Sequence, residues 1–495
     1  MMASQNPYDA VAYPSLSFPN THPDRMAAMA TLHGLSPAPV EHCRVLEIAC
    51  GEGANLIPMA YAIPTSDFVG FDLAGLPIER GLARIGELGL ANIRLFQADV
   101  LDMGPELGRF DYIIAHGLYS WVGDTVRDRL LSLCAELLTA EGIAFVSYNA
   151  LPGGYVRLAI RSMMMVRAKG GGDVDEEMAK GTDLVRRLLA TRPEGDAFRA
   201  LIEEHLEDMA GRSVAAVFHD ELAEMHRPVG ITEFAGHAGR NGLQYLSEAV
   251  LPPPPDPCYR RDVRAAVEEA AGGDPLKVEQ MLDFARMRKY RETLLCRADR
   301  KVDRSFGKDG YRRLLFASPV TSSAGEAAGA TVFTLPGGIK MESSHPVASC
   351  LLGELEKAWP RALSMEELEA RIATRGFALN GETALLLTRL AVAKFIELRR
   401  WNAPVATAIA PRPKASACSR QEIRKRDRAT TLLHTIFQLE DPIARRLLDL
   451  LDGMRDRTEL AAALGVEFPE QPGEDIRLRI EPSLEYFRRA GFLEA

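Results

Sequence analysis

The apolar run Cys43-Arg-Val-Leu46 passes without a break into Glu47-Ile-Ala-Cys-Gly-Glu-Gly53, and Leu56-Ile-Pro-Met-Ala60 then starts a helical pattern. The segment reads as a buried strand, a glycine turn and a helix. Gly51 and Gly53 let the backbone pass close to a bound ligand, where a Cβ would block the approach. The dinucleotide fingerprint fits poorly. The register Ala49, Gly51, Ala54 keeps one of its glycines, and the register Gly51, Gly53, Leu56 puts a bulky side chain where close helix packing wants none.

Further strands follow at the intervals of an α/β sheet. The stretch 67–73 is apolar and ends on Asp72 and Leu73, the stretch 93–100 ends on Asp99 and Val100, and 110–115 leads into His116-Gly-Leu-Tyr-Ser-Trp-Val122. A helix is expected from about Asp124, with Val126, Leu130, Leu131, Cys134, Leu137 and Leu138 on one stripe, and a fifth strand over 142–149. Alternation of this kind predicts a doubly wound, Rossmann-like parallel sheet covered on both faces, with ligands at the carboxyl ends of the strands. Glu47, Asp72 and Asp99 then stand at three successive strand ends. That pattern suits S-adenosylmethionine: a carboxylate for its cationic methionine part, a second for the ribose hydroxyls, a third for the adenine amino group. Glu47, Ala49, Cys50, Gly51, Gly53, Asn55, Leu56, Asp72, Leu73, Asp99, Val100, His116 and Gly117 are the expected cofactor-binding residues.

The chain's 495 residues allow two to four domains at about 150 residues each, and 47% hydrophobic content supports large cores. A net charge of −9 argues against a phosphate-binding surface. The basic run 420–428 is interleaved with acids and reads as a solvated helix face. Seven scattered cysteines show no C-x-x-C pair, which fits reduced thiols in the cytoplasm and no bound metal. No signal peptide and no bilayer-length apolar run is evident, so no membrane association is expected.

Two late strands, 242–249 and 290–296, are expected to complete a seven-stranded sheet, with a helix over 230–241 leading into the first of them and helical insertions at about 155–228 and 259–289. The proline run beginning at Leu251 reads as a stiff turn. Beyond residue 300, short strands, three helical stretches and the strand-like 397–401 suggest a winged-helix-like α+β domain. Residues 404–419 read as a Pro/Ala/Ser linker before a helical tail. The expected division is 1–154, 155–300, 301–403 and 404–495.

Several segments together resemble a known family. They are Tyr8-Asp9, Tyr13 and Phe18-Pro-Asn-Thr-His-Pro23 ahead of the turn; Asn55-Leu-Ile-Pro-Met59 and His116 to Val122; Ser147-Tyr-Asn149 with Pro152-Gly153; and Asp449-Leu-Leu-Asp-Gly453. The chain resembles class I methyltransferases that carry a methyltransferase regulatory domain, and 219–295, with Glu233-Phe234 and Arg291 to Leu295, is similar to that domain. The resemblance is good over 8–300 and thinner beyond. Its best-understood members are bacterial protein-lysine methyltransferases of outer-membrane proteins, which implies a homodimer with a wide substrate cleft. Ala49 departs from the glycine usual at that point of the loop.

Tyr119, Tyr148 and Asn149 are the expected catalytic residues, because they follow strands four and five and could orient a neutral amine. Trp121, Tyr13 and His22 are the expected substrate contacts, the last two on an N-terminal arm that folds over the cofactor. Packing is the alternative for each tyrosine and for Trp121, and a hydrogen-bonded core position for His116. Methyl transfer to a protein amine is the function these residues suggest. Methylation of a small molecule, or cofactor binding without turnover by a regulatory scaffold, are the competing readings.

Overall fold

The computed structural model describes residues 11 to 495 apart from 12, 15, 169–172, 252–260, 305–307, 328 and 379–380. Tyr8, Asp9 and the proline run after Leu251 lie outside the described residues.

Seven strands form the main sheet: β1 (Arg44–Ile48), β2 (Asp67–Asp72), β3 (Ile93–Gln97), β4 (Phe110–Ala115), β5 (Leu138–Asn149), β6 (Leu243–Glu248) and β7 (Tyr290–Arg297). Their order is β3-β2-β1-β4-β5-β7-β6. β1 to β5 run parallel, and β7 is antiparallel to both β5 and β6. β5 begins at Leu138, earlier than the glycine at 142 suggested, because Leu138 pairs with Phe110 across an irregularity in the β4–β5 register.

The strands' alternation sorts their side chains into two cores. Val45, Tyr112, Ile114, Ile143 and Phe145 pack beneath α1 (Pro23–Leu32) and α2 (Leu56–Ala62). Leu46, Ile113, Ala144, Val146 and Tyr148 face α4 (Asp124–Leu137) and α9 (Ile231–Arg240) on the other side. α3 (Gly75–Leu88) follows β2 and ends at Gly89 in the left-handed region (φ 64°), which lets the chain turn back into β3.

The helical insertion consists of α5 (Gly154–Ala168), α6 (Val174–Leu189), α7 (Ala197–Ala210) and α8 (Val214–Leu222), with its own core of Ile160, Met164, Met178, Val185 and Ile202. α10 (Arg261–Ala271) and α11 (Pro275–Arg286) form the second insertion. Past residue 300 a three-stranded antiparallel sheet over 321–343 precedes helices Pro346–Ala358, Met365–Ala373 and Gly381–Val392.

The stretch expected to be a linker, 404–419, is instead packed. Ala406 and Ala415 are buried, Val405 bridges to Glu494 and Ala415 to Leu493. Small apolar side chains bury at little entropic cost, so a Pro/Ala-rich stretch serves as well for edge packing as for spacing. The basic run likewise is not a purely solvated face. Helix Ala417–Lys425 carries Gln421 and Glu422 into a buried contact with Arg84 of α3. Arg84 Nη2 lies 2.5 Å from Glu422 Oε1, with side chains 9% and 4% exposed.

Arg84→Ala would strand the Glu422 carboxylate in that interface. The expected loss is about 3–5 kcal/mol of stability, read as a lowered melting temperature. An unchanged melting curve would mean that the C-terminal region does not dock on α3.

Candidate functional site

The turn after β1 holds three special positions, at alternate residues. Ala49 adopts φ 61°, Gly51 φ 55° and Gly53 φ 70°. A left-handed residue with a Cβ costs about 1–2 kcal/mol, which explains why glycine is the usual occupant where Ala49 stands. A Cβ built on Gly51 meets nothing within 4 Å, and the same holds for Gly117 (φ 67°) after β4. Both glycines therefore border open space at the carboxyl edge of the sheet. Cys50 is buried, its thiol pushed well above the usual range by burial, and its Sγ packs towards Gly70. It fills space.

Glu47 ends β1 only 4% exposed. Its Oε1 accepts a hydrogen bond from Asn55 Nδ2 at 2.8 Å, while the equally buried Oε2 has no partner among the described residues. Burial, reinforced by the nearby Asp72 charge, pushes the carboxyl up to about 8. Such an orphaned acceptor fits a cationic ligand group. Asn55 itself is committed to the protein: Oδ1 accepts from Phe18 N–H (2.9 Å) and lies 2.9 Å from His434 Nε2, and its amide meets the Thr21 hydroxyl at 3.0 Å. It holds Glu47 in place. Leu56 is fully buried in the core under β1.

Asp72 receives Gly51 N–H on Oδ2 and Ala74 N–H on Oδ1, both at 2.8 Å, so its carboxylate is fixed at the mouth of the turn. Leu73 beside it is 57% exposed. Asp99 accepts Leu101 N–H on Oδ1, and Val100 is buried next to it. His116 stacks on Phe18 with ring centroids 3.6 Å apart, and burial pulls its imidazole down to about 4. Gly117 N–H donates to Ser147 Oγ at 2.8 Å.

The expected arm does reach the turn. Ser17 and Phe18 bond to Ala54 and Asn55, and Phe18 covers His116. Tyr13 and His22 diverge from it. Tyr13 lies beside His219 of α8 at 5.7 Å, and His22 is buried between Trp401 and His434, its Nδ1 capping α1.

The two tyrosines expected at the mouth point to the other face of the sheet. Tyr148 is 1% exposed, stacked on Phe234 of α9 at 4.3 Å. Tyr119 is equally buried, its hydroxyl 2.8 Å from His237 and its phenol pushed up to about 12 by burial. Alternation along β5 is the reason: Tyr148 shares the side of Ala144 and Val146, whereas Phe145, Ser147 and Asn149 face His116. Trp121 packs on His226 and under Arg161 of α5.

Tyr290 and Glu292 of β7 occupy the place meant for those tyrosines. They pair with Asn149 and Ser147 across the strands. The Tyr290 hydroxyl is 3.2 Å from His116 Nε2, and Asn20 Nδ2 donates to Glu292 Oε2 at 2.8 Å. The signal for their position was available, because a final antiparallel strand begins at the carboxyl edge of the sheet. Among the described residues no group of His, Cys, Asp and Glu could hold a metal ion.

A sheet of this order, with a glycine turn after β1 and acids closing the first strands, defines the class I S-adenosylmethionine-dependent methyltransferase fold. Comparisons with known proteins agree. Residues 45–142 match a methyltransferase domain family, 213–297 a family described as predicted methyltransferase regulatory domain, and 411–471 the C-terminal winged helix domain of PKMT. That last match falls on the stretch read as linker and tail, not on 301–403. Uncharacterized protein RP789 of Rickettsia prowazekii (strain Madrid E) is 32% identical over 63% of this chain and 56% of its own length, so the chain spans little more than half of it. Uncharacterized protein RP028 of the same organism is 32% identical over 48% of the chain and 96% of its own length. The structure of PKMT2 from Rickettsia typhi, also solved in complex with AdoHcy, superposes with a TM-score of 0.84 at 23% identity, covering 97% of this chain and 99% of that one. The chain belongs to the class I methyltransferases that carry a methyltransferase regulatory domain, and its cofactor is S-adenosylmethionine.

The Glu47 carboxyl holds a proton at neutral pH that an ammonium in the site would displace. Cofactor affinity should therefore rise as pH climbs towards about 8, with a proton released on binding. Calorimetry in two buffers of different ionisation heat measures that proton, and Glu47→Gln should abolish it. The same raised pKa makes the ligand-free fold lose stability as pH climbs from the ordinary carboxylate range towards 8, since the unfolded chain gives up this proton first.

Proposed function

We propose that the protein methylates an amine on a protein, with lysine as the acceptor, at the patch formed by His116, Ser147, Asn149 and Tyr290. The observation that carries this reading is the Tyr290–His116 contact at the carboxyl edge. An imidazole pulled down to about 4 stays neutral, so its Nε2 can accept a hydrogen bond from the phenol and leave the Tyr290 oxygen able to accept in turn. A hydroxyl set in this way accepts an N–H from a neutral amine and aims the nitrogen lone pair. Positioning of that kind, at roughly 3–3.5 Å between reacting atoms, supplies much of the acceleration in a displacement. S-adenosylmethionine, when bound, supplies an electrophilic methyl on a sulfonium, with the neutral thioether as leaving group. Glu47 would hold its ammonium, Asp72 its ribose hydroxyls and Asp99 its adenine amino group. Phe18 keeps the His116 ring in place and shields it from water.

The likeness to PKMT2, which extends over the C-terminal regions as well as the sheet, supports a protein acceptor over a small molecule. To the same proposal belong a homodimer, a cytoplasmic location consistent with six free thiols among the described cysteines, and a surface that does not bind nucleic acid, in keeping with the net charge of −9. Among the described residues no helix is long and apolar enough to cross a membrane. The division proposed is a cofactor core over 1–154, an insertion with the regulatory domain over 155–300, an α+β domain over 301–403 and a winged-helix region beyond.

Incubating the protein with methyl-labelled cofactor and a bacterial lysate should place label on protein, recovered as methyllysine after hydrolysis. Label confined to small molecules, or cofactor binding with no label transferred, refutes the proposal. Tyr290→Phe should lower kcat about 10- to 100-fold while cofactor affinity holds, as expected for loss of one oriented hydrogen-bonding group.

A further inference from the structure

Glu292 has no place in the cofactor contacts described above, and its setting is unusual. It sits on the face of β7 that Tyr290 shares, opposite Ser147 in the register. Its Oε2 is held by Asn20 of the arm at 2.8 Å, while Oε1 has no hydrogen bond to any described residue. Among the described residues no Lys or Arg forms an ion pair with it, although its neighbour Arg291 engages Glu248, Glu279 and Asp283 on the opposite face. A half-buried carboxylate with one oxygen clamped and the other open, beside a neutral Tyr–His pair, has the composition of a receptor for an alkylammonium.

We infer that Glu292, oriented by Asn20, is the group that selects a positively charged acceptor, docking the ammonium of a lysine-like side chain before its proton is lost to solvent. This rests on the amine reading of the site. Burial is the main cause that raises the Glu292 carboxyl, and an incoming ammonium offsets that desolvation, so the pocket favours a cationic guest over a neutral one of the same shape. The Asn20 clamp fixes the direction of Oε1 and ties acceptor selection to the arm that also covers His116. A neutral hydroxyl acceptor gains nothing comparable, which separates amine from alcohol substrates.

The probe is n-butylamine, a lysine side chain in miniature and protonated at neutral pH, titrated by calorimetry into protein saturated with S-adenosylhomocysteine; butan-1-ol is the uncharged control. The wild-type protein should bind butylammonium in preference to butanol. Glu292→Gln, which keeps an acceptor for Asn20, should weaken butylammonium about 10- to 100-fold and leave butanol and cofactor unchanged. Asn20→Ala should produce a smaller loss of the same kind. Equal binding of butylammonium by wild type and Glu292→Gln, or no preference for the amine in the wild type, overturns the inference. The lysate labelling stands apart from this test. Methyllysine formed equally well by Glu292→Gln sinks Glu292's role alone, whereas label that never reaches lysine in the wild type sinks the amine reading beneath it.

Discussion

The side-chain amide of Asn55, 3% exposed at the start of α2, bonds to four parts of the chain at once. Its nitrogen donates to Glu47, and its oxygen meets Phe18 N–H and His434 Nε2, with Thr21 closing the circle. Each of those partners is itself buried or half-buried, so removing the amide would leave several polar groups with nothing to replace water. The direction of Glu47, the path of the arm and the seat of the hairpin that carries His434 are set by one planar group. His434 takes part as a neutral ring, since burial pulls it down to about 3.

This wiring changes what the C-terminal third is for. Residues 417–434 touch the cofactor turn from outside the sheet through Arg84, Asn55 and Ser17. The helix Pro23–Leu32 in turn gives Asp24 to the backbone of Arg400 and Trp401, and Arg25 to Glu397. Methyltransferase sheets bind their cofactor at strand ends formed by local loops. In this chain those loops are also supported by segments far away in sequence.

Most of the sheet was legible in the sequence because its signals are local: apolar runs ended by acids, a glycine turn and a helical stripe after Asp124. The region after residue 300 was less so. A Pro/Ala stretch and a mixed-charge helix carry no periodic signal that distinguishes a linker from a docked surface, and only the partner surface on α3 decides the matter. The side of the sheet on which Tyr119 and Tyr148 lie was illegible for a different reason. Chain order correctly put Tyr148 at the end of β5, but the side of the sheet depends on register, and a one-residue step sends a side chain to the opposite core. Ser147 and Asn149 face the site; Tyr148 between them cannot. The antiparallel entry of β7 then supplies Tyr290 and Glu292 from a segment that follows two insertions. Asn55 was expected to contact the cofactor; its amide is bonded to Phe18, Thr21, Glu47 and His434.

The contact between Asn55 and His434 spans 379 positions. During synthesis the last strand of the sheet, which ends at Arg297, is made well before the segment that braces the turn. A chain cut short anywhere between those two points would lack both the brace on Asn55 and the part of the shared core that residues beyond 300 supply.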